Sequence, residues 1–259
     1  MTILLRTDQD QIATLTLNDP DKLNALSVAM LTALHAELDR IAADDAIRVV
    51  IIQGAGRAFC AGHDLSEMQA MRASAVGPAQ LRALFDRCTA MMTRIQSLPQ
   101  PVIAQVHGLA AAAGCQLVAT CDLATASVDA RFGVNGVNIG LFCSTPMVAL
   151  TRNIAAKPAF EMLTTGRFLS ADEAQHLGLI NRTAKLDNLT RDTRSLAGGI
   201  AKKLSTAVRI GKQAFYAQAQ MPTAQAYAYT GDVMVQNMAD DDTAEGIAAF
   251  LEKRDPDWS

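Results

Sequence analysis

The chain has 259 residues, with 23 Lys and Arg against 26 Asp and Glu and a formal net charge of -3. Half of it is hydrophobic and only 5% aromatic, enough apolar material for a sizeable core without disulfides or metal. No Lys/Arg cluster supplies the footprint of sequence-independent nucleic-acid binding. No stretch approaches the ~20 apolar residues of a spanning helix, so neither nucleic acid nor membrane is expected as a partner.

In chain order, ILLR (3–6) and IATLTL (12–17) read as strands joined by the polar turn TDQDQ. From Ser27 to Ala43 apolar residues recur at helical spacing (Met30, Leu31, Leu34, Leu38, Ile41), with Ser27 placed as N-cap. The pattern then predicts a strand VVIIQ (49–53), a glycine-rich turn and a helix from about Pro78 to Ser97. VIAQV (102–106) and LATAS (123–127) follow as strands. Strands alternating with helices indicate an α/β core. From about Pro146 the pattern turns helical, over 145–155, 158–165, 171–177, 187–204, 206–219, 223–237 and 243–253, with no second strand set expected. The acidic run 240–242 reads as a solvated helix start.

The five cysteines are odd in number and show no CxxC spacing. They are read as reduced core residues, and with an N-terminal stretch lacking a secretory signal pattern they lead to the expectation of a soluble, cytoplasmic protein, or one of another reducing intracellular compartment. No metal site is expected. GAGRAF (54–59) begins like a dinucleotide fingerprint, but the third glycine position holds Phe59 and no acidic residue ends a strand about 20 residues later.

Two stretches carry chemistry. In AFCAGHDL (58–65) Phe59 is a candidate core plug, and Ala61-Gly62 would let a ligand approach the backbone beside the His63 N–H. In LAAAAGCQLV (109–118) a helix starting near Ala112 leaves its first N–H groups without intrahelical partners and adds the positive end of its dipole. Side chains no larger than methyl would let a carbonyl reach those donors. Each stretch alone suits tight packing equally well; together they suggest two N–H groups aimed at one oxygen.

These blocks, with RFGVNGVNIGLF (131–142), DPDKLNALS (19–27) and EGIAAFLEKRDPDW (245–258), resemble the signature segments of the crotonase (enoyl-CoA hydratase/isomerase) superfamily in register over almost the whole chain. GVNIGLFCSTP with EGIAAFLEKR resembles its enoyl-CoA hydratase domain-containing protein 3 subgroup. The resemblance implies a ββα spiral core over residues 1–195, a helical trimerisation region over 196–259, and a homotrimer or dimer of trimers. It also implies an acyl-CoA thioester substrate, with CoA belonging to the substrate and no separate cofactor.

By position, the implied oxyanion donors are the main-chain N–H groups of His63 and Ala113. The implied CoA contacts are Lys22, Ala25, Ala61, Asp64 and Leu65, with Phe250 and Lys253 on the last helix, often reaching a neighbouring subunit's site. The family's two catalytic glutamates map to Gln116 and Gly136, so both acids are absent. General acid–base help is worth about 10²–10⁴ in rate, and two-glutamate hydration is therefore not expected. His63, Asp64 and His107 are candidate replacements, Asn135 and Asn138 are candidates to orient a water, and an external group in the space beside Gly136 is a further alternative. Decarboxylation, thioester hydrolysis or acyl-CoA binding without turnover are the alternatives. Cys143 and Ser144 are read as pocket lining or a helix cap, because no His–Asp pair or GxSxG motif accompanies them.

Overall fold

The computed structural model describes residues 2–258. Strands β1 (Leu4–Gln9) and β2 (Ile12–Leu17) form a hairpin. Its two-residue turn, Asp10-Gln11, has φ of 54° and 63°, the geometry that matches strand twist. The first strand thus continues through part of the expected five-residue turn. Helix α1 (Val28–Ala42) starts where Ser27 accepts a hydrogen bond from the Met30 N–H, and it buries the five apolar residues of its expected stripe.

Strand β3 (Val49–Gly54) leads through AFCAGHDL to α2 (Leu65–Ala73) and α3 (Gly77–Ser97). The next turn is β4 (Val102–Val106), β5 (Leu109–Ala111) and α4 (Ala113–Thr120). The one after it is β6 (Leu123–Ser127), β7 (Arg131–Gly133), a short 3₁₀ turn over Asn135–Ile139, α5 (Ser144–Leu150) and α6 (Ala156–Thr165). The core closes with β8 (Phe168–Ser170), α7 (Ala171–His176), β9 (Arg182–Ala184) and α8 (Leu186–Ala201).

Each turn places one long strand in a six-stranded sheet, ordered β1-β2-β3-β4-β6-β9, and shorter ones in a second sheet, β5-β7-β8. Only β1–β2 is antiparallel in the first sheet. This is the expected spiral. Two strands nevertheless lie in the region read as wholly helical. At three residues each, β8 and β9 are too short to show a period-two pattern.

Both faces of the large sheet are covered, which explains the unbroken apolar run in β3. Val50 and Ile52 join the main core, whereas Val49 and Ile51 pack with Ile12, Ile103 and Ala197 of α8. The expected boundary at 195/196 falls inside this helix.

Beyond it, α9 (Ser205–Gln218), α10 (Thr223–Met238) and α11 (Asp241–Glu252) form the C-terminal helical region. Asp240 caps α11, in line with the solvated acidic start. No helix among the described residues is long and apolar enough to cross a membrane.

One buried polar cluster ties α9 to the core. The Lys212 ammonium donates to the carbonyls of Ile95 and Gln100 and to Asp122 Oδ2 at 2.6 Å. Asp122 also accepts from the Tyr216 hydroxyl and the Val102 N–H. Burial pulls the Lys212 pKa down and pushes that of Tyr216 up. Removing one member of a buried ion pair leaves its partner uncompensated. Lys212→Ala is therefore expected to cost about 3–5 kcal/mol in denaturant unfolding, and a loss below about 1 kcal/mol, the scale of exposed pairs, would show that the clamp carries no weight.

Candidate functional site

The segment 59–63 is hydrogen-bonded on both flanks. On one side Ala61 N donates to the Leu23 carbonyl, and Leu26 N donates to that of Gly62 at 2.7 Å. On the other, Phe59 N and Cys60 N donate to the carbonyls of His107 and Leu109, and Ala111 N donates to that of Cys60. Phe59 is fully buried, as its place in the motif suggested.

This clamp brings AFCAGHDL against the start of α4. A Cβ on Gly114 would collide with the Cys60 carbonyl, and one on Gly62 (φ 105°) would sit 3.4 Å from the Ala113 nitrogen. Only glycine permits that approach.

Ala112 precedes α4 at φ 46°, ψ −116°, a region costly for residues with a Cβ. Its N–H donates to the Gly133 carbonyl, while this backbone turn directs the next N–H, that of Ala113, elsewhere. Among the described residues, neither the His63 N–H nor the Ala113 N–H has an acceptor within the protein. Both residues line one cavity of about 720 Å³.

That cavity also gathers Lys22, Ala25, Ala61, Asp64, Leu65 and Gly136 of the expected set. Lys22 and Asp64 form an ion pair at 2.7 Å. Asp64 additionally caps α2 through the N–H groups of Ser66 and Glu67. The Lys22 hydrogen bond holds the Asp64 carboxyl below its usual range, and the same bond raises the Lys22 pKa.

Gln116, one turn into α4, is buried but does not line the cavity, and its Oε1 has no hydrogen-bond partner. Phe250 is 81% exposed on α11, and Lys253 caps that helix at φ 58°. Neither reaches this chain's own cavity.

Among the replacement candidates, Asn135 lines the cavity, whereas His107 and Asn138 do not. His107 Nε2 bonds the Gly56 carbonyl. The side-chain direction of Gly136 is closed, although the residue lines the cavity: a Cβ there would run into the Leu141 carbonyl and lie 2.9 Å from Cys143 Sγ. The Gly136 N–H already donates to that sulfur. Cys143 and Ser144 line the cavity at the start of α5, where burial raises the Cys143 pKa. All five thiols are buried and free.

Sequence reasoning missed the apolar wall made by Met68, Phe85, Ile139, Leu141, Phe142 and Pro146. It also missed α2, although Asp64 followed three residues later by Glu67 is a legible helix-start signal.

The chain matches the profile of the enoyl-CoA hydratase/isomerase family over residues 7–259. It is 44% identical to the mitochondrial enoyl-CoA hydratase domain-containing protein 3 of Xenopus laevis, covering 94% of this chain and 81% of that protein. It is also 32% identical to the 2,3-dehydroadipyl-CoA hydratase of Escherichia coli, over 100% of this chain and 99% of that one. A crystal structure of an enoyl-CoA hydratase from Mycobacterium smegmatis superposes with a TM-score of 0.96 at 50% identity, covering 100% and 99% of the two chains. That of human enoyl-CoA hydratase domain-containing protein 3 gives 0.95 at 42% identity, over 99% and 100%.

The cytoplasmic expectation is overturned, because the frog, zebrafish, human and mouse relatives are named as mitochondrial. Reduced thiols do not distinguish the cytosol from other reducing compartments.

Closure of the Gly136 site has a measurable consequence. Gly136→Ala should destabilise the protein by about 1–3 kcal/mol through overpacking, read by denaturant unfolding. An unchanged midpoint would mean that the 141–143 segment yields freely.

Proposed function

The chain belongs to the enoyl-CoA hydratase/isomerase family, and on that premise we propose that it binds acyl-CoA thioesters and stabilises their enolates through the N–H groups of His63 and Ala113. The observation carrying this reading is that both donors lack acceptors yet line one cavity. Placed at a thioester oxygen, each donor supplies about 3 kcal/mol as negative charge develops there. The dipole of α4 adds to the same effect.

Lys22, Ala25, Ala61, Asp64 and Leu65 surround the CoA portion in this reading, and the apolar wall takes the acyl group. Phe250 and Lys253 contribute to a neighbouring subunit's nucleotide site. Gln116 and Gly136 stand where the family's glutamates would be, and closure of the Gly136 site favours chemistry that needs the enolate but not two acids. Decarboxylation, through an enolate, meets that condition too, and thioester hydrolysis would use the same two donors for a tetrahedral oxyanion; they differ in consuming a carboxylate-bearing acyl group or releasing free CoA.

The carbonyl is the direct probe. With a ¹³C-labelled butyryl-CoA thioester, the bound carbonyl stretch should move to lower frequency than in water, read by isotope-edited infrared difference spectra. Tight binding with no such shift would remove the two-amide reading.

Assembly is the second part of the proposal. Phe215, Tyr227, Met234, Val235 and Met238 expose large apolar surface on α9 and α10, and α10 buries no residue within the chain. Such surface usually marks an interface. Sedimentation should give a trimer or a multiple of it; a monomer at micromolar concentration would refute this.

A further inference from the structure

Helix α11 is loosely tied to its own chain. Of its residues only Ala249 is buried, while Ile247, Phe250 and Leu251 stand exposed. At its end Lys253 adopts φ 58° and ψ 41°, a left-handed turn that glycine ordinarily fills and that a residue with a Cβ adopts at a cost. Lys253 N donates to the Phe250 carbonyl and Arg254 N to that of Ala249, which closes the helix. The last residues then run back along it.

Two fastenings hold this returning tail. The first is polar. Arg254 Nη1 and Nη2 donate to the two carboxylate oxygens of Glu245 at 2.6 and 2.9 Å, and Asp257 N donates to the same carboxylate at 2.9 Å. A bidentate guanidinium–carboxylate pair fixes direction as well as distance.

The second fastening is Trp258, and it reaches beyond the helix. Its ring lies over Gly246, where an added Cβ would fall 2.8 Å from it. Glycine is a poor residue for a helix interior, and the ring supplies the reason for one here. Trp258 Nε1 donates to the carbonyl of Lys202, the C-cap of α8, where helical carbonyls are left without intrahelical partners. Helix α8 is in turn packed on the large sheet through Ala197 and Ala201. The indole therefore connects the sheet-bound α8 to the loosely held α11.

We propose that the tail 254–258 is a latch that presents Phe250 and Lys253 to a nucleotide-bearing thioester, with Trp258 as the positioning residue that anchors it. The inference rests on the reading above that these two side chains serve a neighbouring subunit's nucleotide site; Trp258 itself touches no ligand. Lys253 stands at the turn between helix and tail, so the direction of its ammonium group depends on both being fixed. Without the anchor the left-handed turn relaxes, and both side chains must be ordered at the moment of binding, which weakens affinity. The effect falls on the nucleotide alone. Phe250, Lys253 and Trp258 line no part of the cavity that holds His63 and Ala113.

The test compares butyryl-CoA with butyryl-pantetheine, which lacks the nucleotide, by calorimetric titration of the full-length protein. Trp258→Ala should bind butyryl-CoA at least about fivefold more weakly, and butyryl-pantetheine as wild type does. A merely structural part for the tail would weaken both thioesters alike or neither, and either result overturns the proposal. If Trp258→Ala fails to fold or sediments differently from wild type, Glu245→Ala, which removes the other fastening, is read by the same criteria.

Lys253→Ala separates this inference from the reading beneath it. Wild-type affinity of Lys253→Ala for butyryl-CoA defeats the nucleotide reading of α11, and the latch falls with it. Weaker binding by Lys253→Ala beside unchanged binding by Trp258→Ala leaves that reading standing and removes the latch.

Discussion

The arrangement of the cavity depends on one constraint, the close approach of the Cys60–Gly62 backbone to the first turn of α4. Gly114 has no Cβ to strike the Cys60 carbonyl, and Gly62 occupies a backbone region that side chains avoid. Hydrogen bonds to residues 23–26 on one flank and 107–111 on the other hold the segment in place. Two N–H groups emerge from this clamp without protein acceptors, at its two edges. The backbone conformation of Ala112 aims one of them, and its strain is held by the surrounding sheet and helix.

The same constraint orders the rest of the cavity. Asp64 ends the clamped segment and caps α2, which presents Met68 to the wall. Lys22 comes from the loop that grips the clamp and pairs with Asp64. Opposite them, the 3₁₀ turn after β7 closes on itself: Leu141 N donates to the Gly136 carbonyl, and Gly136 N donates to Cys143 Sγ. The site is therefore rich in main-chain donors and poor in free acids.

The C-terminal helices depend on the core through a different device. Lys212, Asp122 and Tyr216 join α9 to the end of α4 and the start of β4 with every hydrogen bond of the ammonium group satisfied. Beyond that clamp, α10 and α11 expose apolar residues over much of their length, and their burial must come from outside a single chain if it comes at all.

By itself, the sequence determined the helices whose apolar spacing spans several turns, the Ser27 cap, the long strands of the large sheet and the two small-residue stretches at 58–65 and 109–118. These are local signals, because periodicity and capping are set by residues within a few positions of one another. Only the tertiary structure decided that His63 Nε2 is buried without a partner, and that the side-chain direction of Gly136 is blocked. It likewise decided that Gln116 stays behind the cavity wall and that Phe250 and Lys253 lie away from it. Three-residue strands such as β8 and β9 needed it as well. Each of these outcomes is set by contact with chain that is distant in sequence or by a local backbone fold with no periodic signature, and composition and spacing carry no record of either.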